Sequence, residues 1–402
     1  MGFRPSVPPA MFQPTSSHLA AVTGWFEDNF RQRGELGASV SIWQSGREIL
    51  HLSSGHADRA RARLWTDETL VPVWSATKGP AAVCALMALH EARLPLDCPV
   101  GEIWPEFVSA GKAHMTFAHF FSHTAGLCAL DERVPIMNYE AVVEALERQQ
   151  PLWEPGMKQG YHARTFGFLM DEIVRRVTGA ESLGEYFREM FGSQLGLDFW
   201  IGLPTAQHER VATVYPGKIS IADADRPFLK AFSTSGTLTQ RTFASPIGLN
   251  AVQDFNQPET WQHGYASMGG VGSARGLGQF YAMLALAGQW RGREILPASI
   301  VQQLSQTLSE EDDLVLCTPV EFGAGVMKDP MHHDPELPPG KLRQHYGPSL
   351  SAFGHPGAGG CLAFADPENE IAFAYVMNQM ETGALPGPKC TGMIDRLYGL
   401  AE

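Results

Sequence analysis

Val73-Trp74-Ser75-Ala76-Thr77-Lys78 is the stretch on which the reading of this chain turns. Ser75 and Lys78 are three residues apart. On a helix, side chains at that separation share a face, with Cβ atoms about 5–6 Å apart. An amine then sits beside a hydroxyl that is a weak nucleophile until something takes its proton. The run Pro80-Ala81-Ala82-Val83-Cys84-Ala85-Leu86-Met87-Ala88-Leu89 supplies an apolar, helix-forming body to bury the pair. Pro80 removes a helical N–H, so it fits only near the first turn. Taken alone, Ser75 also reads as a helix N-cap with an unrelated lysine one turn on. A second copy of the pattern, Ser109-Ala110-Gly111-Lys112, contains a glycine and has no apolar helix behind it. It reads as a surface loop.

Composition sets the outer bounds. The chain has 402 residues, 44% hydrophobic and 18% charged, which is ordinary globular composition with ample material for a core. Its formal charge of −13, with no Lys/Arg cluster, argues against nucleic acid and anionic membrane surfaces as partners. Cys84, Cys98, Cys128, Cys317, Cys361 and Cys390 form no C-x-x-C pair and read as structural thiols of a reducing compartment. No secretory signal or membrane-length apolar run is visible, so the expected location is the cytoplasm. The start matches the myristoylation pattern M-G-x-x-x-[ST], which is read as accidental because Pro5 stiffens it.

In chain order, residues 1–17 read as a proline-rich arm. Leu19, Val22, Trp25, Phe26 and Phe30 recur at helical spacing up to Gly34. Ala38 to Trp43 and Glu48 to Leu52 read as a hairpin. A largely helical middle follows: Phe117 to Leu127, Tyr139 to Gln149, Phe166 to Val177 stopped by Gly179, and a helix capped at Ser182. Residues 203–262 read as irregular structure with short helices, then helices run from Ala274 to Leu286 and from near Ser299. Residues 328–348 read as a long loop. Gly360 to Ala365 and Ile371 to Met377 form a second hairpin, and Thr391 to Leu400 a closing helix. The fold class is therefore α/β plus all-α. The α/β domain takes residues 18–72 and 268–402, with a mainly helical domain, 73–267, inserted between them. His114, His119, His123 and the pair His332-His333 are read as packing and hydrogen-bonding groups; no metal or other cofactor is expected.

A nucleophile of this kind needs a second proton carrier and an oxyanion hole. Gln159-Gly160-Tyr161-His162-Ala163 precedes an apolar helix, where a tyrosine reaches a cleft. A neighbouring ammonium would lower the phenol's ordinary value of about 10 and make it a base. By itself Tyr161 also reads as a buried tyrosine with one hydrogen bond. Phe353-Gly354-His355-Pro356-Gly357-Ala358-Gly359-Gly360 allows close backbone approach and offers N–H donors. It equally reads as a tight turn feeding a hairpin.

Together these stretches resemble the serine hydrolases related to class C β-lactamases and penicillin-binding proteins, and the family VIII carboxylesterases in particular. The S-x-x-K at Ser75, a tyrosine 86 residues later and a Gly-rich strand near the C-terminus carry the resemblance, over residues 18–400. Phe121-Ser122-His123-Thr124-Ala125-Gly126-Leu127 and Trp153-Glu154-Pro155-Gly156 add to it. The resemblance implies a β-lactamase/transpeptidase-like fold, a central antiparallel sheet flanked by helices with an inserted helical domain. It implies Ser75 as nucleophile, Lys78 assisting its deprotonation, and Tyr161 as general base and later acid. The N–H groups of Ser75 and Ala358 would form the oxyanion hole, and His355 and Gly357 would contact substrate.

Two departures matter. Ala163 stands where the lactamase tyrosine motif has Asn, and His355-Pro356-Gly357 where the strand motif is K-T-G. Groups that hold a lactam carboxylate are lost, which favours a small neutral ester as the partner; a short acyl chain is what the family resemblance implies. The rival readings are a β-lactamase, a D-amino peptidase, an acyltransferase and a non-catalytic binding protein. Oligomeric state is not legible. G-x-S-x-G is absent, so a nucleophile elbow has nothing to rest on.

Overall fold

Strands from the two ends of the chain meet in one antiparallel sheet. The computed structural model describes residues 11–218, 223, 226–332, 334–336 and 340–400. Met1–Ser6, most of the N-terminal arm, and His333 lie outside the described residues. In chain order the strands are β1 (Gly37–Gln44), β2 (Arg47–Gly55), β3 (Val71–Trp74), β4 (Phe199–Ile201), β5 (Gly270–Gly272), β6 (Gln289–Trp290) and β7 (Arg293–Glu294). There follow β8 (Ser309–Asp313), β9 (Thr318–Phe322), β10 (Met327–Lys328), β11 (Phe353–Pro356), β12 (Leu362–Asp366) and β13 (Ile371–Met377). The large sheet has the order β2-β1-β13-β12-β11-β10-β9-β8. A small one, β3-β5-β4, lies next to Ser75, and β6-β7 is a separate hairpin.

The join between the chain ends is β1 against β13, with Val40 opposite Tyr375 and Ile42 opposite Phe373. Both strands are buried along almost their whole length, which is why Ile371–Met377 reads as continuous apolar sequence. Ser45 and Gly46 turn β1 into β2 with φ of 46° and 73°, the backbone that a two-residue hairpin loop demands. Helix Ala274–Ala285 packs on β1, β12 and β13, and helix Ser16–Gln32 packs on helix Pro388–Leu397.

Between the ends the chain is mainly helical. Helix Lys78–Glu91 packs on helix Thr165–Thr178. Pro80 sits in the first turn of its helix, where its missing N–H costs nothing. Gly179 ends its helix at φ 78°, and the Ser182 hydroxyl accepts from the Glu185 N–H at 3.1 Å. Phe117 to Leu127 is shorter than read: the helix covers Phe117–Phe121, and His123 then takes φ 59° in a turn. Strands β8 to β10 were not foreseen. Ser109-Ala110-Gly111-Lys112 is a loop, but not one with a solvated lysine. Lys112 is buried and donates to the carbonyls of Glu147 and Gln149, each at 2.7 Å.

Candidate active site

Strand β3 delivers Ser75 through a tight corner. Trp74 has φ 54° and ψ −136°, a backbone that a bulky residue rarely adopts. Its ring is held against Phe255, with centroids 3.9 Å apart. Ser75–Thr77 form one 3₁₀ turn, and helix Lys78–Glu91 continues from it. Thr77 clamps the corner: its hydroxyl donates to Trp74 O at 2.5 Å and accepts from the Gly270 N–H at 2.9 Å. Strain of this sort persists only where surrounding contacts over-determine it.

The S-x-x-K pair meets as its spacing suggests. Lys78 Nζ lies 3.3 Å from Ser75 Oγ, and 2.8 Å from the carbonyls of both Ala163 and Ser267. The lysine is wholly buried, and burial pushes it well below its ordinary 10.5. In its neutral form the amine would have two N–H bonds, enough for the two carbonyls, and would keep its lone pair for Ser75 Oγ.

Tyr161 is also buried, and Ser75 is near enough to its hydroxyl to favour the phenolate slightly. Lys78 Nζ is 4.8 Å from the centre of its ring. The phenol's net shift runs opposite to the expected lowering. Burial raises the Tyr161 value above its ordinary 10, and the Asp313 carboxyl adds to the rise. Burial also disfavours the charged form of the lysine, which weakens the support an ammonium would give a phenolate. Asp313 fixes Tyr161 from behind. Its Oδ1 accepts from the N–H groups of Tyr161, Val315 and Leu316 at 3.1, 2.9 and 2.8 Å.

Three imidazoles lie under the tyrosine. His123 is 5.0 Å and His355 5.9 Å from the Tyr161 ring, and His162 is 5.4 Å from His123, between centroids. All three are wholly buried, and burial lowers each below 6.5, His162 to about 3. His119 instead closes a capping box at Thr116. Among the described residues no group of three or more His, Cys, Asp or Glu side chains is placed to hold a metal ion.

Of the Gly-rich stretch, Ala358 reaches the pocket and two neighbours do not. A cavity of about 280 Å³ opens beside Ser75 and is lined by both Ser75 and Ala358. The Gly357 N–H bonds to Cys361 O at 2.6 Å and the Gly359 N–H to Gly383 O at 3.4 Å, which fixes the Ala358 peptide between them. Gly357 lies against β3, where a Cβ would stand 2.1 Å from Val73 O. His355 is enclosed in β11, with Nδ1 donating to Pro356 O at 2.8 Å. The cavity lining includes neither Gly357 nor His355.

Several parts of the site escaped the sequence reading. The Ala163 and Ser267 carbonyls are backbone atoms, which no residue type advertises. Asp313 ends an acidic run, Glu310-Glu311-Asp312-Asp313, that resembles a solvated face. Gly167 is needed because a Cβ there would meet Ser267 N at 2.5 Å.

Residues 26–387 match the family model described as Beta-lactamase, and the chain belongs to that family. It is 29% identical over 380 residues to the esterase/beta-lactamase LipL of Mycobacterium tuberculosis, covering 92% of this chain and 83% of the relative. Among solved structures, a family VIII carboxylesterase superposes with a TM-score of 0.83 at 30% identity, covering 97% of this chain and all of the other. A penicillin-binding protein homologue from Caulobacter crescentus gives 0.81 at 32% identity, again covering 97% of this chain and all of the other. The fold is that of the β-lactamases and transpeptidases, and the protein is a serine hydrolase. Among the described residues no helix is long and apolar enough to cross a membrane.

Proposed function

We propose that this protein is a carboxylesterase that cleaves neutral esters through an acyl-enzyme on Ser75. The observation that carries the reading is the Lys78 amine, buried without a carboxylate partner and aimed at Ser75 Oγ. Lys78 Nζ takes the Ser75 proton as Oγ bonds to the ester carbonyl carbon. The oxyanion forms against the N–H groups of Ser75 and Ala358. Tyr161, kept protonated by burial, gives its proton to the departing alkoxide and recovers it from Lys78. The net transfer is one proton from Ser75 to the alcohol. Water then attacks the acyl group, its proton passes to the Lys78–Tyr161 pair, and Ser75 Oγ leaves with a proton returned. Lys78 and Tyr161 thus act as one coupled acid–base unit.

The charge pattern supports a neutral ester over a lactam carboxylate. His355 is enclosed and uncharged. Arg164 does line the cavity, but its guanidinium is committed to the carbonyls of Pro246, Gly248 and Leu249 and to Asn250 Oδ1. Initial rates on p-nitrophenyl butyrate and on a chromogenic cephalosporin, for wild type beside Ser75→Ala, test the proposal. Ester turnover is expected in wild type and lost in the variant, with little cephalosporin opening. Ester turnover that survives in Ser75→Ala sinks the assignment, and cephalosporin opening at the ester rate moves the lactamase reading ahead.

A further inference from the structure

The cavity beside Ser75 is larger and more aromatic than a short acyl chain requires. Its far wall is built by two short helices, Pro227–Ser233 and Leu238–Ala244. Phe228, Phe232 and Phe243 from these helices all line it. Their ring centroids are 5.9, 5.7 and 5.4 Å apart, and Phe243 meets the other two edge to face. The cluster is not sealed into the core: Phe232 remains 42% exposed. Val252, Phe255 and Met268 extend the apolar surface from the cluster back toward Trp74 and Ser75. An aromatic cluster held open at the surface, on a wall continuous with the nucleophile, is surface available to a ligand.

We infer that this wall is the acyl pocket, and that it takes an aromatic acyl group, of the arylacetyl class, on esters cleaved at Ser75. The inference rests on the esterase reading above. Three observations carry it. The first is size. A dry cavity of about 150 Å³ suffices for benzene, and this one has about 280 Å³. The second is polarity. The Arg164 guanidinium in the lining is bonded to protein acceptors, and burial raises the Glu381 carboxyl toward its neutral form. Along the Phe228, Phe232, Phe243, Val252 and Phe255 wall no side chain offers a partner to a charge, so that wall favours an uncharged group. The third is orientation. The leaving alkoxide must face Tyr161, the proton donor, which is absent from the cavity lining. The substituent that enters the cavity is then the one that stays on Ser75. A phenyl ring there meets the edges and faces of three phenylalanines, contacts that aromatic pairs favour over plain area burial.

The test compares kcat/KM on p-nitrophenyl acetate, p-nitrophenyl phenylacetate and benzyl acetate, for wild type, Phe232→Ala and Phe228→Ala. Labelling of Ser75 by a fluorophosphonate is followed in each. The wild type is expected to prefer phenylacetate over acetate by about tenfold or more, the scale of one well-filled apolar subsite. Phe232→Ala, at a half-exposed position that the fold tolerates, is expected to lower that ratio by about tenfold. The same variant with phenylacetate preference intact overturns the inference. So does a wild type that labels at Ser75 and favours acetate, or one that favours the aromatic ring on the alcohol side, in benzyl acetate. Absence of both labelling and ester turnover is a different result: it removes the esterase reading itself.

Discussion

At Lys78, burial and chemistry pull in one direction. A lysine without a carboxylate neighbour gives up its proton when taken out of water, and the neutral amine is the form that activates a serine. The pH dependence follows with a definite sign. Activity rises with pH as Lys78 deprotonates, at a value well below 10.5. It should then hold through pH 10, because Tyr161 stays protonated past its ordinary value. The imidazoles beneath do not shape the neutral range, since burial holds all three well below 6.5. A kcat/KM profile that falls between pH 8 and 10 contradicts this ordering. Stability gives a second reading of the same group. The unfolded chain protonates Lys78 below 10.5 and the folded one does not, so burial of this lysine costs more as pH falls from 10.5 toward the folded value. Lys78→Met should abolish turnover and raise the melting midpoint at pH 7 by roughly 1–3 °C. The gain should shrink as the melt is repeated toward pH 10.5. A midpoint lowered equally at both pH values would mean that Lys78 is held charged.

Among the elements, the strand–corner–helix of Val71 to Glu91 shows what sequence can and cannot disclose. Ser75 and Lys78 were legible because two side chains one turn apart are a statement about side chains. The two carbonyls that hold the amine were not, because the peptide is the same everywhere. Strand β3 was hidden by Pro72, which is tolerated only because β3 is an edge strand of its small sheet. Strand β8, Ser-Glu-Glu-Asp-Asp, was hidden by its charges, which suit the edge of the large sheet. The outer hairpins were visible because apolar, β-branched runs flank short Gly or Asn turns. Gly167 gives a prediction at this scale. It lies in the first turn of helix Thr165–Thr178, and its missing Cβ lets Ser267 come close enough for the carbonyl to reach Lys78. Gly167→Ala should push the 265–267 backbone away, costing about 1–3 kcal/mol of stability and lowering kcat with it. Unchanged kcat beside a normal melt would show that the Ser267 contact does not matter.

For the whole molecule, the decisive fact is that the first and last hundred residues make one sheet. The helical middle carries Ser75, Lys78 and Tyr161, while the C-terminal strands bring Ala358, so the site closes only when the chain ends have met. That architecture was legible because β signals flank a helical middle. How the ends are tied together was not, since it depends on buried polar pairs hundreds of residues apart. Lys389 Nζ lies 3.2 Å from Glu35 Oε1, both almost without solvent contact, and the Tyr375 hydroxyl donates to the other carboxylate oxygen. Asn29 Nδ2 donates to Lys389 O at 3.0 Å. The Glu35 carboxyl is raised by burial in spite of the lysine, which marks desolvation as the larger effect. Removing one partner therefore strands the other in the core. Glu35→Leu and Lys389→Met should each cost about 3–5 kcal/mol in chemical denaturation. The double variant should recover most of that loss, because an apolar pair has no charge to strand. If the double variant instead lost the sum of the two single effects, the pair would contribute through independent packing. The tie between the chain ends would then lie in the β1–β13 ladder and the helix contact between Ser16–Gln32 and Pro388–Leu397.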